Sequence, residues 1–223
     1  MAMAIAVTDF DRDQKRYFEE DLQYVDPRHP TAQAFVAPKL DWICTQIPEV
    51  ESVLDVGAGN GTFTHYWAQR VARVEGIERS RALISKSPCA SILREGDAYS
   101  LPYKDNAFDV VFESNLLHHV SEPERVVQEM RRVAKRFVIC LEPNRNNPPM
   151  FLFSLLHSAE RAGLKFCRRY LNRMLNATGV SIRHSTSVGM ITQHRTPPAL
   201  LPFLKLFDFH QPFGMYTIAI GEK

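Results

Sequence analysis

The sequence predicts an α/β domain built on a doubly wound, mostly parallel sheet. Three observations carry this. Short runs rich in Val, Ile and Phe alternate with segments of helical periodicity. The runs Ser52-Val-Leu-Asp-Val56, Phe108-Asp-Val-Val-Phe112 and Phe137-Val-Ile-Cys-Leu141 are almost continuously apolar, as strands covered on both faces are. The first of them ends in a glycine-rich turn that opens a helix. Right-handed crossovers then place helices on both sides of the sheet.

The elements follow in order. Residues 11–24 are charged and aromatic, consistent with a short amphipathic helix that Pro27 and Pro30 interrupt. Residues 31–47 resume a helical pattern, with Phe35, Leu40, Ile43 and Ile47 on one face and Pro38 in the first turn or at a kink. Residues 52–56 are the first strand, 62–71 a helix, 73–77 the second strand and 79–86 a helix. Ile92 and Leu93 form a brief strand before Gly96. Residues 108–112 are a buried strand. Residues 123–135 are a helix with Pro123 at its start, where a missing N–H costs nothing. Residues 137–141 are another buried strand. A helical run covers 150–175, and 180–183 and 215–220 read as strands forming an antiparallel edge. Between them lies an irregular stretch with Pro197, Pro198, Pro202 and Pro212.

The 223 residues are 45% hydrophobic and 23% charged, which suits one globular domain and excludes a disordered chain. No apolar run approaches the roughly 20 residues of a membrane span. The net charge of +2 is unevenly spread, at −4 over residues 1–150 and +6 over 151–223. A basic last third rich in Phe and Leu suits an anionic partner, a membrane surface or an acidic substrate; a solvated basic face is the plain alternative. Cys44, Cys89, Cys140 and Cys167 are widely spaced without a C-x-x-C, so buried reduced thiols are expected and no metal is assigned. The first ten residues lack a basic leader region, and a cytoplasmic location is expected.

The strongest local signal is Val53-Leu-Asp-Val-Gly-Ala-Gly-Asn-Gly61, at the carboxyl end of the first strand, where ligands bind in open α/β sheets. Its spacing, D-x-G-x-G-x-G, differs from the G-x-G-x-x-G of dinucleotide binders, and no Gly-Lys-Ser/Thr follows. Asp55 is a poor neighbour for pyrophosphate but suits an ammonium or sulfonium. Glu78, after the second strand, can accept two hydrogen bonds from ribose hydroxyls. Asp97, in Glu95-Gly-Asp-Ala98, can accept from an exocyclic amine. Three acids at three successive strand ends are harder to dismiss than one.

These motifs, with Thr62-Phe-Thr64, Gly96-Asp-Ala-Tyr-Ser-Leu-Pro-Tyr103 and Phe108-Asp-Val-Val-Phe-Glu-Ser-Asn-Leu-Leu-His-His-Val120, resemble those of class I S-adenosylmethionine-dependent methyltransferases of the small-molecule, type 11 kind. The likeness spans residues 50–142. It implies a Rossmann-like, seven-stranded sheet ending in an antiparallel C-terminal hairpin, and a single domain. Residues 1–48 would be an N-terminal helical cap, 49–147 the cofactor-binding core and 148–223 a helical insertion with the hairpin. It implies that S-adenosyl-L-methionine is the cofactor and S-adenosyl-L-homocysteine the product. Asp55 and the turn Gly57-Ala58-Gly59 would hold the methionine part and Glu78 the ribose. Asp97 would bind the adenine amine, with Ala98 backbone at the ring and Ile77 or Leu101 packed on it. Ser114 would offer its carbonyl to the ammonium. Arg79, where many relatives have a small or apolar residue, lies at the adenosine edge.

Methyl transfer is an in-line displacement from a sulfonium, so positioning supplies most of the rate, and a base is needed only for a protonated acceptor. His118 and His119, just past the fourth strand, are the candidate catalytic residues. Tyr17, Tyr24 and His29 are candidates for a lid, and Glu142 and Asn144 for the acceptor side. Asn147-Pro148-Pro149-Met150 is similar to the N-P-P-aromatic motif of nucleic-acid amino-methyltransferases. It lies beyond the fifth strand and ends in Met, so it reads as a turn before a helix. The apolar stretch 150–156 followed by Arg161, Lys165, Arg168, Arg169 and Arg173 suits an amphiphilic or anionic acceptor or peripheral membrane contact. The same residues also suit a helix pair with a wet basic edge. The expected function is methyl transfer to a small-molecule or lipid-like acceptor. A nucleic-acid methyltransferase and a non-catalytic cofactor-binding module are the alternatives.

Overall fold

The computed structural model describes residues 9–21, 24–194, 196–208 and 210–223. Helix α1 (Asp9–Arg16) runs into one π-helical turn over Tyr17–Asp21, and α2 (Pro30–Gln46) follows. Then come β1 (Ser52–Val56), α3 (Thr62–Trp67), β2 (Arg73–Glu78), α4 (Arg81–Lys86), β3 (Leu93–Glu95) and β4 (Phe108–Ser114). They are followed by α5 (Pro123–Val133), β5 (Ala134–Pro143), α6 (Pro148–Leu156), α7 (Arg168–Ala177), β6 (Ser181–Val188), α8 (Leu201–Leu204) and β7 (Tyr216–Glu222).

The seven strands lie in the order β3-β2-β1-β4-β5-β7-β6. Strands β1 to β5 are mutually parallel, and β7 runs antiparallel between β5 and β6. This is the doubly wound sheet with a reversed C-terminal pair that the sequence predicts. Period-two alternation sends Val53, Val110, Phe112 and Ile139 to one core with α2 and α3. Leu54, Val111, Val138 and Cys140 go to a second core with α5 and α7. All five residues of β1 are buried, because both of its faces are covered.

Helix α3 stops at Trp67 rather than 71 and β5 runs over Ala134–Pro143 rather than 137–141. Other boundaries depart from the sequence reading as well. The expected N-terminal helix is straight only to Arg16, and residues 22 and 23 lie outside the described residues. The helical run over 150–175 is broken in two places. His157 (φ −105°, ψ 115°) and Cys167 (φ −156°, ψ 167°) take extended backbone, and a 3-10 segment, Ser158–Lys165, lies between them. That break draws Phe166 into the core, where its carbonyl accepts the Arg145 N–H at 2.9 Å. Strand β6 reaches Val188, well past 183, because a polar Ser/Thr run pairs with β7 at the sheet edge and so lacks an apolar signature. Helix α2 continues through Pro38 in its interior, beyond the first turn.

Candidate functional site

A cavity of about 360 Å³ opens at the carboxyl ends of the central strands. Asp55, Gly57, Ala58, Gly59, Glu78, Arg79, Asp97, Ala98, Ser114, His118 and His119 all line it. The fold therefore brings these eleven residues to one place, at the switch in strand order between β1 and β4.

The glycine turn is shaped for close approach. Gly57 has φ 73°, and a Cβ there would stand 2.8 Å from Leu116 Cδ1. Gly59 has φ 57°, a left-handed backbone that favours glycine, and the Tyr24 ring lies 3.5 Å from where a Cβ would stand, in ordinary contact. The N–H groups of Gly57 and Ala58 both donate to the Ile77 carbonyl, at 2.8 and 3.0 Å. The Gly59 N–H donates to Glu78 Oε2 at 2.9 Å. These donors are engaged inside the protein, so the turn offers a ligand acceptors rather than donors. That is the wrong chemistry for a phosphate and the right one for a cation.

The three acids sit in different surroundings. Asp55 is buried and accepts the Thr64 hydroxyl at 2.6 Å. Burial raises its pKa to about 7 against the opposing Thr64 bonds, with the charge of Glu78 adding to the rise. Glu78 accepts the Ser80 N–H at 2.8 Å through Oε1, and burial raises its pKa as well. The Gly59 N–H occupies the other oxygen, and a carboxylate so held keeps acceptor capacity for a hydroxyl donor. Asp97 Oδ1 accepts the Tyr99 N–H at 2.9 Å, which fixes the loop that carries Ala98. At the end of β4, Asn115 adopts left-handed backbone (φ 55°), a conformation that Asn tolerates best after Gly. The chain thereby turns Ser114 and Asn115 to the cavity. Ile77 lines it too, whereas Leu101 packs into the core with α5.

Beyond the turn lies a buried polar cluster. His118 Nδ1 is 2.6 Å from Glu142 Oε2, and its Nε2 is 3.4 Å from Glu160 Oε2. His119 Nδ1 is 2.8 Å from Gln14 Oε1. Tyr17 donates to Glu160 Oε1 at 3.3 Å. Burial lowers the His118 pKa, but the Glu142 and Glu160 carboxylates outweigh it and bring it to about 9. His119 is pushed down to about 3 by burial and by the charge of His118. Glu113, buried beside Glu142, has its pKa raised first by burial and then by that second carboxylate.

The structure separates the remaining candidates. Tyr24 lies over Gly59 and lines the cavity, whereas Tyr17 is joined to it through its hydrogen bond to Glu160. His29 instead caps α2, its Nδ1 accepting the Thr31 N–H at 3.2 Å, and it does not line the cavity. Glu142 reaches the cavity only through His118. Asn144 holds the Gly214 carbonyl at 2.8 Å, a packing role. Asn147 caps α6 by accepting the Met150 N–H, so the N-P-P run is a helix start, as read.

Gln14, Phe18, Glu160, Gln193 and His194 line the cavity without having been foreseen. They arrive from irregular or terminal segments with no local motif.

Residues 54–140 match the family model described as a methyltransferase domain. A phosphatidylethanolamine N-methyltransferase from Cereibacter sphaeroides is 37% identical over 93 residues, covering 38% of this chain and 45% of that protein. A demethylmenaquinone methyltransferase from Renibacterium salmoninarum is 36% identical over 89 residues, covering 38% of this chain and 37% of that protein. The chain thus spans less than half the length of these two curated relatives. Geranyl diphosphate C-methyltransferase from Streptomyces coelicolor, solved with Mg2+, geranyl diphosphate and S-adenosyl-L-homocysteine, superposes with a TM-score of 0.66 at 13% identity. That superposition covers 98% of this chain and 99% of the other. Over residues 54–140 the chain thus matches a methyltransferase domain, and its sheet order and glycine turn are similar to those of class I S-adenosylmethionine-dependent methyltransferases of the small-molecule type.

Proposed function

We propose that the protein moves a methyl group from S-adenosylmethionine to an amphiphilic small molecule whose apolar part enters past α6. Asp55 and the turn Gly57-Ala58-Gly59 take the methionine end, where a carboxylate and backbone acceptors meet the cationic groups. Glu78, held by the Gly59 and Ser80 N–H groups, takes the ribose hydroxyls. Asp97 and Ala98 take the adenine, with Ile77 beneath it and Arg79 at its edge. The Ser114 carbonyl faces the ammonium. When bound, the cofactor supplies an electrophilic methyl carbon on a good leaving group, so the protein's part is orientation and exclusion of water.

One observation carries the choice of acceptor class. Among the described residues, every exposed large apolar side chain except Phe10 lies between residues 151 and 213. Phe151, Leu152, Leu155 and Leu156 stand out from α6, while Met150 and Phe153 of the same helix line the cavity. Leu200, Phe203, Leu206 and Phe207 continue the exposed set around α8. An apolar surface joined to an apolar cavity wall suits a lipid-like substrate and contact with a membrane surface. No helix among the described residues is long and apolar enough to cross a membrane. The named acceptors of two relatives, phosphatidylethanolamine and demethylmenaquinone, are of this chemical kind.

His118 and His119 stand on the acceptor side, their Nδ1 atoms committed to Glu142 and Gln14 and their remaining faces toward the cavity. They meet the polar head of the acceptor. Calorimetry with S-adenosylhomocysteine tests the cofactor. Methyl transfer from labelled cofactor into an extracted lipid fraction, compared with a water-soluble fraction and with RNA, tests the acceptor. Label confined to the water-soluble or RNA fraction overturns the lipid-like reading. Cofactor binding with no transfer to any fraction favours a non-catalytic module.

A further inference from the structure

We infer that His118, His119 and Glu160 form a binding site for one divalent transition-metal ion of the Zn2+ or Fe2+ kind at the acceptor end of the cavity. The three side chains each bring one ligand atom within 4.8 Å of the others. His118 Nε2 lies 3.4 Å and His119 Nε2 lies 3.8 Å from the same oxygen, Glu160 Oε2. Two ligands each about 2.1 Å from a tetrahedral ion are separated by about 3.4 Å. The first distance fits as it stands, and the second closes with a small side-chain movement.

The surroundings make the stronger argument. Gln14 donates its amide nitrogen to the Ala159 carbonyl at 2.9 Å, which fixes the amide's orientation. Its oxygen must therefore accept from His119, placing that ring's proton on Nδ1 and a bare lone pair on Nε2. The Glu142 carboxylate accepts from His118 Nδ1 in the same way, and its other oxygen is tied to the Leu117 N–H at 2.7 Å. Both imidazoles thus carry an outer hydrogen-bond acceptor on Nδ1 and aim Nε2 at one point. That arrangement orients metal-binding histidines and raises their basicity. Tyr17 braces the ligating carboxylate from its far oxygen. Without an ion, a proton between His118 Nε2 and Glu160 fills the same gap.

Two imidazoles and one carboxylate favour borderline transition ions over Mg2+ or Ca2+, which prefer all-oxygen shells. Three protein ligands leave coordination positions open toward the cavity. The use of those positions to anchor an acceptor oxygen rests on the methyl-transfer reading above, whereas the ion site itself does not. Sequence spacing gives no metal motif, because Glu160 follows His118 by 42 residues and arrives on the 3-10 segment.

The test uses the whole chain, stripped with a chelator and titrated separately with Co2+, Zn2+ and Mg2+. The expected result is one Co2+ per chain with visible d–d absorption, a Zn2+-dependent rise in Tm, and no response to Mg2+. His119→Ala and Glu160→Gln should each weaken Co2+ binding at least tenfold, with S-adenosylhomocysteine affinity retained as the check on folding. Absence of stoichiometric Co2+ binding overturns the site, as does binding that survives both substitutions. Failure to bind S-adenosylhomocysteine while Co2+ still binds would overturn the cofactor reading alone.

Discussion

Glu78 accepts the backbone N–H of Gly59 at 2.9 Å, so the acid that ends the second strand also braces the turn that ends the first. Its removal therefore costs a ligand contact and the shape of the loop together. Glu78→Ala should weaken S-adenosylhomocysteine binding by about 100-fold, since a charge-assisted hydrogen bond contributes about 1.5–3 kcal/mol. Glu78→Gln keeps one acceptor and should fall between. Calorimetric titration of the two variants measures both, and equal affinities in Ala and wild type would remove Glu78 from the site.

Asp55 provides a pH dependence. Burial raises its pKa to about 7 in the free protein. A carboxylate raised above its unfolded value holds its proton more tightly when folded, so its contribution to stability is lost as pH rises from about 4 to about 7. A cationic ligand binds the ionised form. Affinity for S-adenosylmethionine should thus rise about tenfold between pH 6 and 8 and level off above, with proton release on binding. In Asp55→Asn the affinity should be low and flat with pH. An equally steep profile in that variant would assign the titration to another group.

Lys39 is fully buried, donating to the Phe35 carbonyl at 2.6 Å with its ammonium 4.1 Å from the Phe35 ring. Burial depresses its pKa to about 8, against the opposing charge of Asp208. The folded state therefore pays a desolvation penalty below pH 8, and that penalty is relieved as pH climbs toward the unfolded value. Lys39→Met should raise stability at pH 7 by about 1–2 kcal/mol after the lost hydrogen bond is counted. The gap to wild type should narrow between pH 8 and 10. Denaturant melts at three pH values check it, and a gap that widens with pH would contradict the assignment.

Leu156 is 68% exposed and Phe203 61% exposed, so changing them leaves the core untouched. The double substitution Leu156→Glu with Phe203→Glu should keep the Tm within about a degree, as surface changes do. It should lower sedimentation with phospholipid vesicles by at least tenfold. Unchanged vesicle binding would leave α6 and α8 without a membrane role.

The sheet and the cofactor end of the cavity were legible because both are local in sequence. Strand β1, the glycine turn and Asp55 lie within ten residues, and burial on both faces writes β1 and β4 as apolar runs. The acceptor end was half legible. His118 and His119 follow directly from β4, but Glu160 and Gln14 reach them from segments 42 and 105 residues away in sequence that carry no local motif. The second half of strand β6 carries no apolar signature, because hydrogen bonding to β7 and not hydrophobicity defines it. The break at His157 was hidden by the continuous helical periodicity of residues 150–175, which packing of Phe166 overrides.

The N-terminal segment has one more consequence. Arg79 donates to the Asp11 carbonyl, Ser121 to the Asp11 carboxylate and Ser80 to Glu19, while Gln14 and Tyr17 hold His119 and Glu160. One wall of the cavity is thus a piece of chain docked through hydrogen bonds, the class of contact most easily exchanged for water. Substitutions at Asp11 or Ser121, which weaken this wall, should shorten the residence time of the spent cofactor.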